Sequence, residues 1–231
     1  LRAEGISTPL VADIHFLADA ALAAASVADK VRINPGNFAR DHAVACAKFR
    51  ELIALCKQHG TAIRIGLNHG SLGERITQRY GATPLAMKEA VMEWLRMCVE
   101  EDFFRVVVSL KASNTLVMVE AYRLLQAAMR DELGWLFPLH LGVTEAGNGD
   151  EGRIKSAVGI GTLLGEGIGD TIRVSLTEDP VHEIPAGRHI VSAVAAGYTP
   201  RGGRTSVQAA DWNDFLFKAA CLWGPALLDK T

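Results

Sequence analysis

A chain of 231 residues, 49% hydrophobic and 22% charged, has the make-up of a folded domain long enough to bury a sizeable core. Its formal net charge of −2 gives no overall pull toward nucleic acid or an anionic membrane. No apolar run approaches the ~20 residues needed to span a bilayer, and Leu1–Gly5 has no signal-peptide pattern, so a cytoplasmic protein is expected.

Pro9–Ile14 (PLVADI) predicts the first strand, followed by a helical pattern over Phe16–Ala28. Lys30–Asn34 (KVRIN) predicts the second strand and Ala39–His59 its helix. Ala62–Gly66 (AIRIG) and Pro84–Glu101 form the next pair, with Thr83 as N-cap and Pro84 at the first helical position. Arg105–Leu110 (RVVVSL) leads to a helix over Leu116–Arg130, and Pro138–Gly142 (PLHLG) to one over Arg153–Gly165. Thr171–Leu176 (TIRVSL) is the sixth strand. Val181–Ala196 follows, then a turn-rich break at Thr199–Gly203 and an amphipathic, helix-like stretch over Val207–Leu228.

Strands alternating with helices imply βαβ units and a parallel sheet. The expected fold is therefore α/β, a TIM (β/α)8-type parallel barrel with about six of its eight units, spanning residues 1–196. Residues 197–231 form an unassigned helical tail. Six units leave two sheet edges open, and bare edges invite pairing. The edge should be covered by the tail, by a second copy in a homodimer, or by further elements.

Polar residues collect at the predicted strand ends, where parallel barrels carry their active sites. Period-two alternation puts Asp13 with His15, Arg32 with Asn34, and Arg173 with Ser175 on common faces. Arg64 and Asn68 close the third strand, Lys111 and Ser113 the fourth, and Glu145 follows the fifth. Charges inside a barrel are costly unless matched, so Arg32, Arg64, Arg173 and Lys111 together predict a bound polyanion; the planar guanidinium fork suits phosphate. Asp13 and His15 could equally bond each other, and Glu145 could cap a helix or act as a general acid. The glycine run Gly159–Gly169 is a poor dinucleotide fingerprint and reads as close packing of a helix on the barrel. Cys46, Cys56, Cys98 and Cys221 have no metal-ligand spacing and read as reduced, mostly buried thiols, so no metal is assigned to them.

The runs PLVADIHF, VRINPGNF, IRIGLNHGSL, VSLKASN, PLHLGVTEAG, RIKSAVGIGTLL and EGIGDTIRVSLTEDP occur in an order that resembles the barrel of 4-hydroxy-3-methylbut-2-enyl diphosphate synthase over about residues 8–185. The NHGS form at Asn68–Ser71 and the run Glu145–Asp150 are similar to its larger, plant- and chlamydia-like branch. The resemblance implies an oxidoreductase of the non-mevalonate isoprenoid pathway that opens 2-C-methyl-D-erythritol 2,4-cyclodiphosphate. Its electrons would come from ferredoxin or flavodoxin through a 4Fe-4S cluster. It implies that Arg32, Arg64, Lys111 and Arg173 hold the diphosphate and that Asn34, Asn68, Ser113 and Ser175 add hydrogen bonds. Asp13, His15 and Glu145 would lie near the carbon skeleton, with Glu145 handling a proton or hydroxyl.

The sequence departs from that pattern in three places. The family's opening two βα units have no counterpart, and the loop after Phe38 enters its helix sooner than in the larger branch. The cluster domain, with three cysteine ligands and one glutamate, also has no counterpart, so no cluster is expected here and this chain alone would be inactive. Two other readings remain open at this level: a Schiff-base aldolase using Lys111, and a non-catalytic phosphometabolite-binding barrel.

Overall fold

The computed structural model describes residues 2–229, and its strands follow the predicted order. β1 (Val11–Ile14), β2 (Lys30–Ile33), β3 (Ala62–Asn68) and β4 (Val106–Lys111) pair in sequence, all parallel. β5 (His140–Leu141) and β6 (Thr171–Ile172) pair with each other. Parallel bridges Val108↔Leu139 and Ala112↔Val143 join β5 to β4, which gives the continuous order 1 to 6. This is the incomplete α/β barrel that the alternation predicts.

The helices occupy the crossovers. They are α1 (Ala18–Ala24), α2 (His42–His59), α3 (Glu74–Tyr80), α4 (Pro84–Glu100), α5 (Thr115–Ala128), α6 (Gly149–Gly165), α7 (Glu183–Ala195) and α8 (Trp212–Leu228). Local chemistry sets their ends. Asp41 accepts from the Val44 amide at 2.9 Å and starts α2 at His42, three residues later than the apolar pattern suggests. Gly60, at φ 70°, ends it in the left-handed conformation. Thr83 caps α4 and Asn114 caps α5 by the same device. Two helices were not predicted: α3 buries only Ile76, and α7 carries Pro185 and Gly187 in its first half although Ala186, Ile190 and Ala193 lie on one buried face.

β5 and β6 are shorter than predicted, and the β4–β5 ladder is broken between its two bridges. At that break stands Tyr122 of α5, whose hydroxyl accepts from the Leu110 amide at 2.9 Å and donates to the His140 carbonyl at 2.6 Å. The core lies between sheet and helices, with Ile33, Phe49, Ile63, Ile65, Leu67, Met92 and Leu95 fully buried. Burial at about 25 cal/mol per Å² of apolar surface holds these layers together.

The tail packs α8 onto α6 and α7, not onto β1, so it does not cover that edge. The helices approach closely because glycines line the seam. A Cβ at Gly161 would lie 2.6 Å from Cys221 Sγ, and one at Gly224 2.5 Å from Val158 Cγ2. The glycine run thus packs α6 on both sides: Gly159 faces Met118, Thr115 and Val143, as expected for the barrel, while Gly161 and Gly165 face the tail. Among the described residues, no helix is long and apolar enough to cross a membrane.

The loops after β2 and β3 are pressed together. A Cβ on Gly36 would sit 1.7 Å from the Ser71 carbonyl oxygen, whereas one on Gly70 meets nothing within 4 Å. Gly36→Ala should therefore cost about 1–3 kcal/mol of stability through overpacking, and Gly70→Ala about 0.5 kcal/mol or less. Urea-unfolding midpoints of the two variants check the contrast.

Candidate functional site

The strand ends converge on a narrow cavity of about 150 Å³, whose wall includes Asp13, Arg32, Arg64, Lys111 and Arg173. His15, Asn68 and Ser175 complete the predicted members of that wall. Ser109 and Thr144 also line it and were missed from the sequence. The signal for Ser109 was present: it lies two residues before Lys111 on the same strand, so it shares that residue's face.

Three predicted residues lie outside this wall. Asn34 is fully buried and its side chain is already used, donating to Ser71 Oγ at 2.8 Å and accepting from the Gly36 amide at 3.1 Å. It ties the loops after β2 and β3. Asn34 keeps an extended backbone just past β2, at φ −117° and ψ 112°, but it caps the short helical turn Pro35–Asn37 and its side chain is drawn into the loop. Ser113 is exposed beside the Asn114 cap. Glu145 is exposed on the turn after Thr144, with its backbone at φ 51°.

Inside the wall, the cations differ in how they are satisfied. Arg32 donates to Asp13 Oδ1 at 2.7 Å and to the Gly66 carbonyl at 2.9 Å. Gly66 is required for this, because a Cβ there would lie 2.5 Å from Arg32 Nε. Arg173 is half-exposed and meets Glu183 at 3.5 Å. Arg64 has no ion-pair partner among the described residues, and its buried Nε has no hydrogen-bond partner. Lys111 likewise has no carboxylate partner there. Burial, reinforced by Arg64, Arg173 and Arg32, pulls the Lys111 ammonium down to about 8.

The same field acts on the neighbouring groups. Burial alone would raise the Asp13 carboxyl, but the Arg32 hydrogen bond and charge, with Arg64, hold it below its ordinary value. Burial and Arg32 keep His15 below the usual imidazole range. His140, on β5, is pushed down to about 3 by burial and by Lys111 and Arg64, so it is neutral near pH 7. Four cations and one carboxylate share this wall, which leaves it with a net positive charge.

A larger cavity of about 740 Å³ lies outside the barrel, between α2, α3 and α4. Its charges are largely matched or solvated: Glu93 pairs with His42 at 3.0 Å and with Arg75, and Arg40 is exposed. It has no unspent charge comparable to that of the barrel mouth.

The cysteines do not fit an iron–sulfur cluster. They sit on three different helices, α2, α4 and α8, and burial pushes Cys56, Cys98 and Cys221 up to about 12, the opposite of what thiolate ligands need. Among the described residues, no group of three or more His, Cys, Asp or Glu is placed to hold a metal ion.

Comparison with known proteins agrees with this architecture. A Parabacteroides distasonis protein is 55% identical over 211 residues, covering 84% of this chain and 34% of its own length. Proteins of Chlorobaculum tepidum and Protochlamydia amoebophila are each 50% identical, over 220 and 215 residues, covering 88% and 86% of this chain and 30% and 33% of their own lengths. All three bear the name 4-hydroxy-3-methylbut-2-en-1-yl diphosphate synthase (flavodoxin). The chain thus spans about a third of the length of the curated relatives it matches, such as the 34% of the first. Residues 2–188 match the family described as the GcpE TIM-barrel domain, and the chain belongs to that family.

Proposed function

We propose that this chain is the diphosphate-gripping barrel of a 4-hydroxy-3-methylbut-2-en-1-yl diphosphate synthase, acting on 2-C-methyl-D-erythritol 2,4-cyclodiphosphate. The observation that carries the reading is the unmatched charge at the barrel mouth: Arg64 and Lys111 have no carboxylate partner among the described residues, and one Arg64 nitrogen is buried without a hydrogen bond. A doubly charged guest would supply what these groups lack. Arg32, Arg64, Lys111 and Arg173 hold its phosphates in this reading, and Asn68, Ser109, Thr144 and Ser175 offer hydrogen bonds. Asp13 and His15 face the carbon skeleton, and Glu145, at the rim, is the candidate for proton or hydroxyl handling.

The relatives' printed name supports flavodoxin as electron donor. Electron transfer is assigned to no residue of this chain, whose part is to bind and orient. Residues 1–196 act as the barrel domain, and α8 buttresses α6 and α7. The free edge of β1 is covered by further βα elements or by a second copy of the chain. The family match favours this reading over a Schiff-base aldolase or a passive phosphometabolite binder.

Calorimetric titration with the cyclodiphosphate, and with pyrophosphate as a simpler probe, tests the proposal. Arg64→Met should weaken either ligand by about 2–3 kcal/mol, the worth of a charge-assisted contact in a desolvated site. It should leave the unliganded fold at least as stable, because it removes a partly buried charge without a carboxylate partner among the described residues. Arg130→Ala, at an exposed position, should change neither. Equal effects of both substitutions would remove the site assignment.

The pH dependence should have two opposite signs. Lys111 is held near 8, below the ordinary lysine value of 10.5. Between those values the unfolded chain binds more protons, so the unliganded fold should gain stability as pH rises from about 8 toward 10.5. Anion affinity should fall over the same range, because the ammonium is lost. Paired denaturation and binding series between pH 7 and about 10.5 check both; parallel trends would contradict the charge state given to Lys111.

A further inference from the structure

One rung of the barrel ladder is entered by a side chain. Val108 N donates to the Pro138 carbonyl at 2.8 Å and Thr144 N to the Ala112 carbonyl at 3.1 Å, so β4 and β5 are in register on both sides. That register pairs the Leu110 amide with the His140 carbonyl. The Tyr122 hydroxyl stands between them, accepting at 2.9 Å and donating at 2.6 Å. A direct bond would hold the two atoms about 2.9 Å apart, whereas a hydroxyl relay holds them about 4.5 Å apart if the angle at oxygen is near tetrahedral.

We propose that Tyr122 is a positioning residue that props β4 away from β5 and so sets the span between Lys111 and Arg173 to that of two linked phosphates rather than one. This rests on reading the cation cluster as a diphosphate site. The widened step lies one residue before Lys111 and two before Gly142 in the chain. Gly142 leaves that space open: a Cβ there would lie 3.2 Å from Lys111 Cε, 3.6 Å from Nζ and 2.8 Å from the Arg173 carbonyl oxygen. The Lys111 stem therefore lies against bare backbone beside the splayed rung, with Arg173 on the far side.

Tyr122 itself reaches this position from α5, outside the barrel, and is not part of the cavity wall. It is fully buried, and burial pushes its phenol above the ordinary range, so it stays protonated as both donor and acceptor. Its hydrogen bonds act on the backbone of the two strands, and the wall cation within its electrostatic reach is Arg64. A hydroxyl used only for stability would not need this rung, since a direct Leu110–His140 bond would satisfy both groups.

The test compares this chain with its Tyr122→Phe variant by calorimetric titration, using pyrophosphate and inorganic phosphate separately. We expect pyrophosphate affinity to fall at least about tenfold in the variant while phosphate affinity changes less than about threefold. Affinities that fall together, or a lowered melting temperature with both unchanged, would assign Tyr122 a purely structural part and overturn the proposal. If Tyr122→Phe does not fold, 4-aminophenylalanine at 122 keeps a donor and an acceptor on the same ring and should hold the pyrophosphate-to-phosphate ratio within about threefold of the unmodified chain. A collapsed ratio there would equally overturn it. Pyrophosphate binding by the unmodified chain with no change of ratio in the variant refutes the role of Tyr122 alone. An unmodified chain that binds no pyrophosphate refutes the diphosphate site as well.

Discussion

Repulsion among like charges at the mouth of the barrel is the constraint on which the rest of the site depends. Two unit charges 5–6 Å apart at an effective dielectric near 20 repel by about 3 kcal/mol, and this wall gathers Arg32, Arg64, Lys111 and Arg173 against the single carboxylate of Asp13. The fold meets that cost in graded ways. Arg32 is locked by Asp13 and the Gly66 carbonyl, Arg173 reaches solvent and Glu183, and Lys111 is drawn toward neutrality. Arg64 is left with the largest unmet demand, a buried Nε without an acceptor. A cluster of this kind is relieved by added negative charge, which is why the proposed guest is a multiply charged anion.

Rigid surroundings allow the strain to persist. The strands carrying the cations are backed by fully buried Ile33, Ile63, Ile65 and Leu67, so the guanidinium stems cannot swing apart without opening the core. Gly66 and Gly142 do the complementary work on the inner face, where any side chain would strike Arg32 or Lys111. Packing outside and vacancy inside fix the same cations from both directions. The tail adds to this indirectly, because α8 presses on α6 through Gly161 and Gly224, and α6 follows the turn that carries Thr144 and Glu145.

Much of this was legible before any coordinates. The βαβ alternation gave the parallel order, and residues at strand ends gave eight members of the wall, because a strand's two-residue period is a strong geometric rule. The rule fails where strands stop. Asn34 lies just beyond β2 and turns inward to tie two loops, and Ser113 and Glu145 lie beyond β4 and β5 on exposed turns. Helix α3 was invisible because only Ile76 of its seven residues is buried, and α7 because Pro185 and Gly187 disguise its start. The glycine run was half understood: Gly159 serves the barrel, but Gly161 and Gly165 serve a tail whose docking no local pattern encodes.

The Tyr122 rung shows why such tertiary detail escapes sequence reading. Tyr122 sits on α5 within an apolar stripe and reads as an ordinary core aromatic. Only the three-dimensional approach of α5 to the β4–β5 seam turns its hydroxyl into a ladder element. Buried hydroxyls are retained where they are fully bonded, and this one is bonded on both sides, so its presence carries no penalty that would have excluded it. The cost appears instead in the sheet, as one rung lengthened beside the site's most perturbed lysine. A barrel that bound nothing between Lys111 and Arg173 would gain by closing that rung; one that must hold two joined phosphates gains by keeping it open.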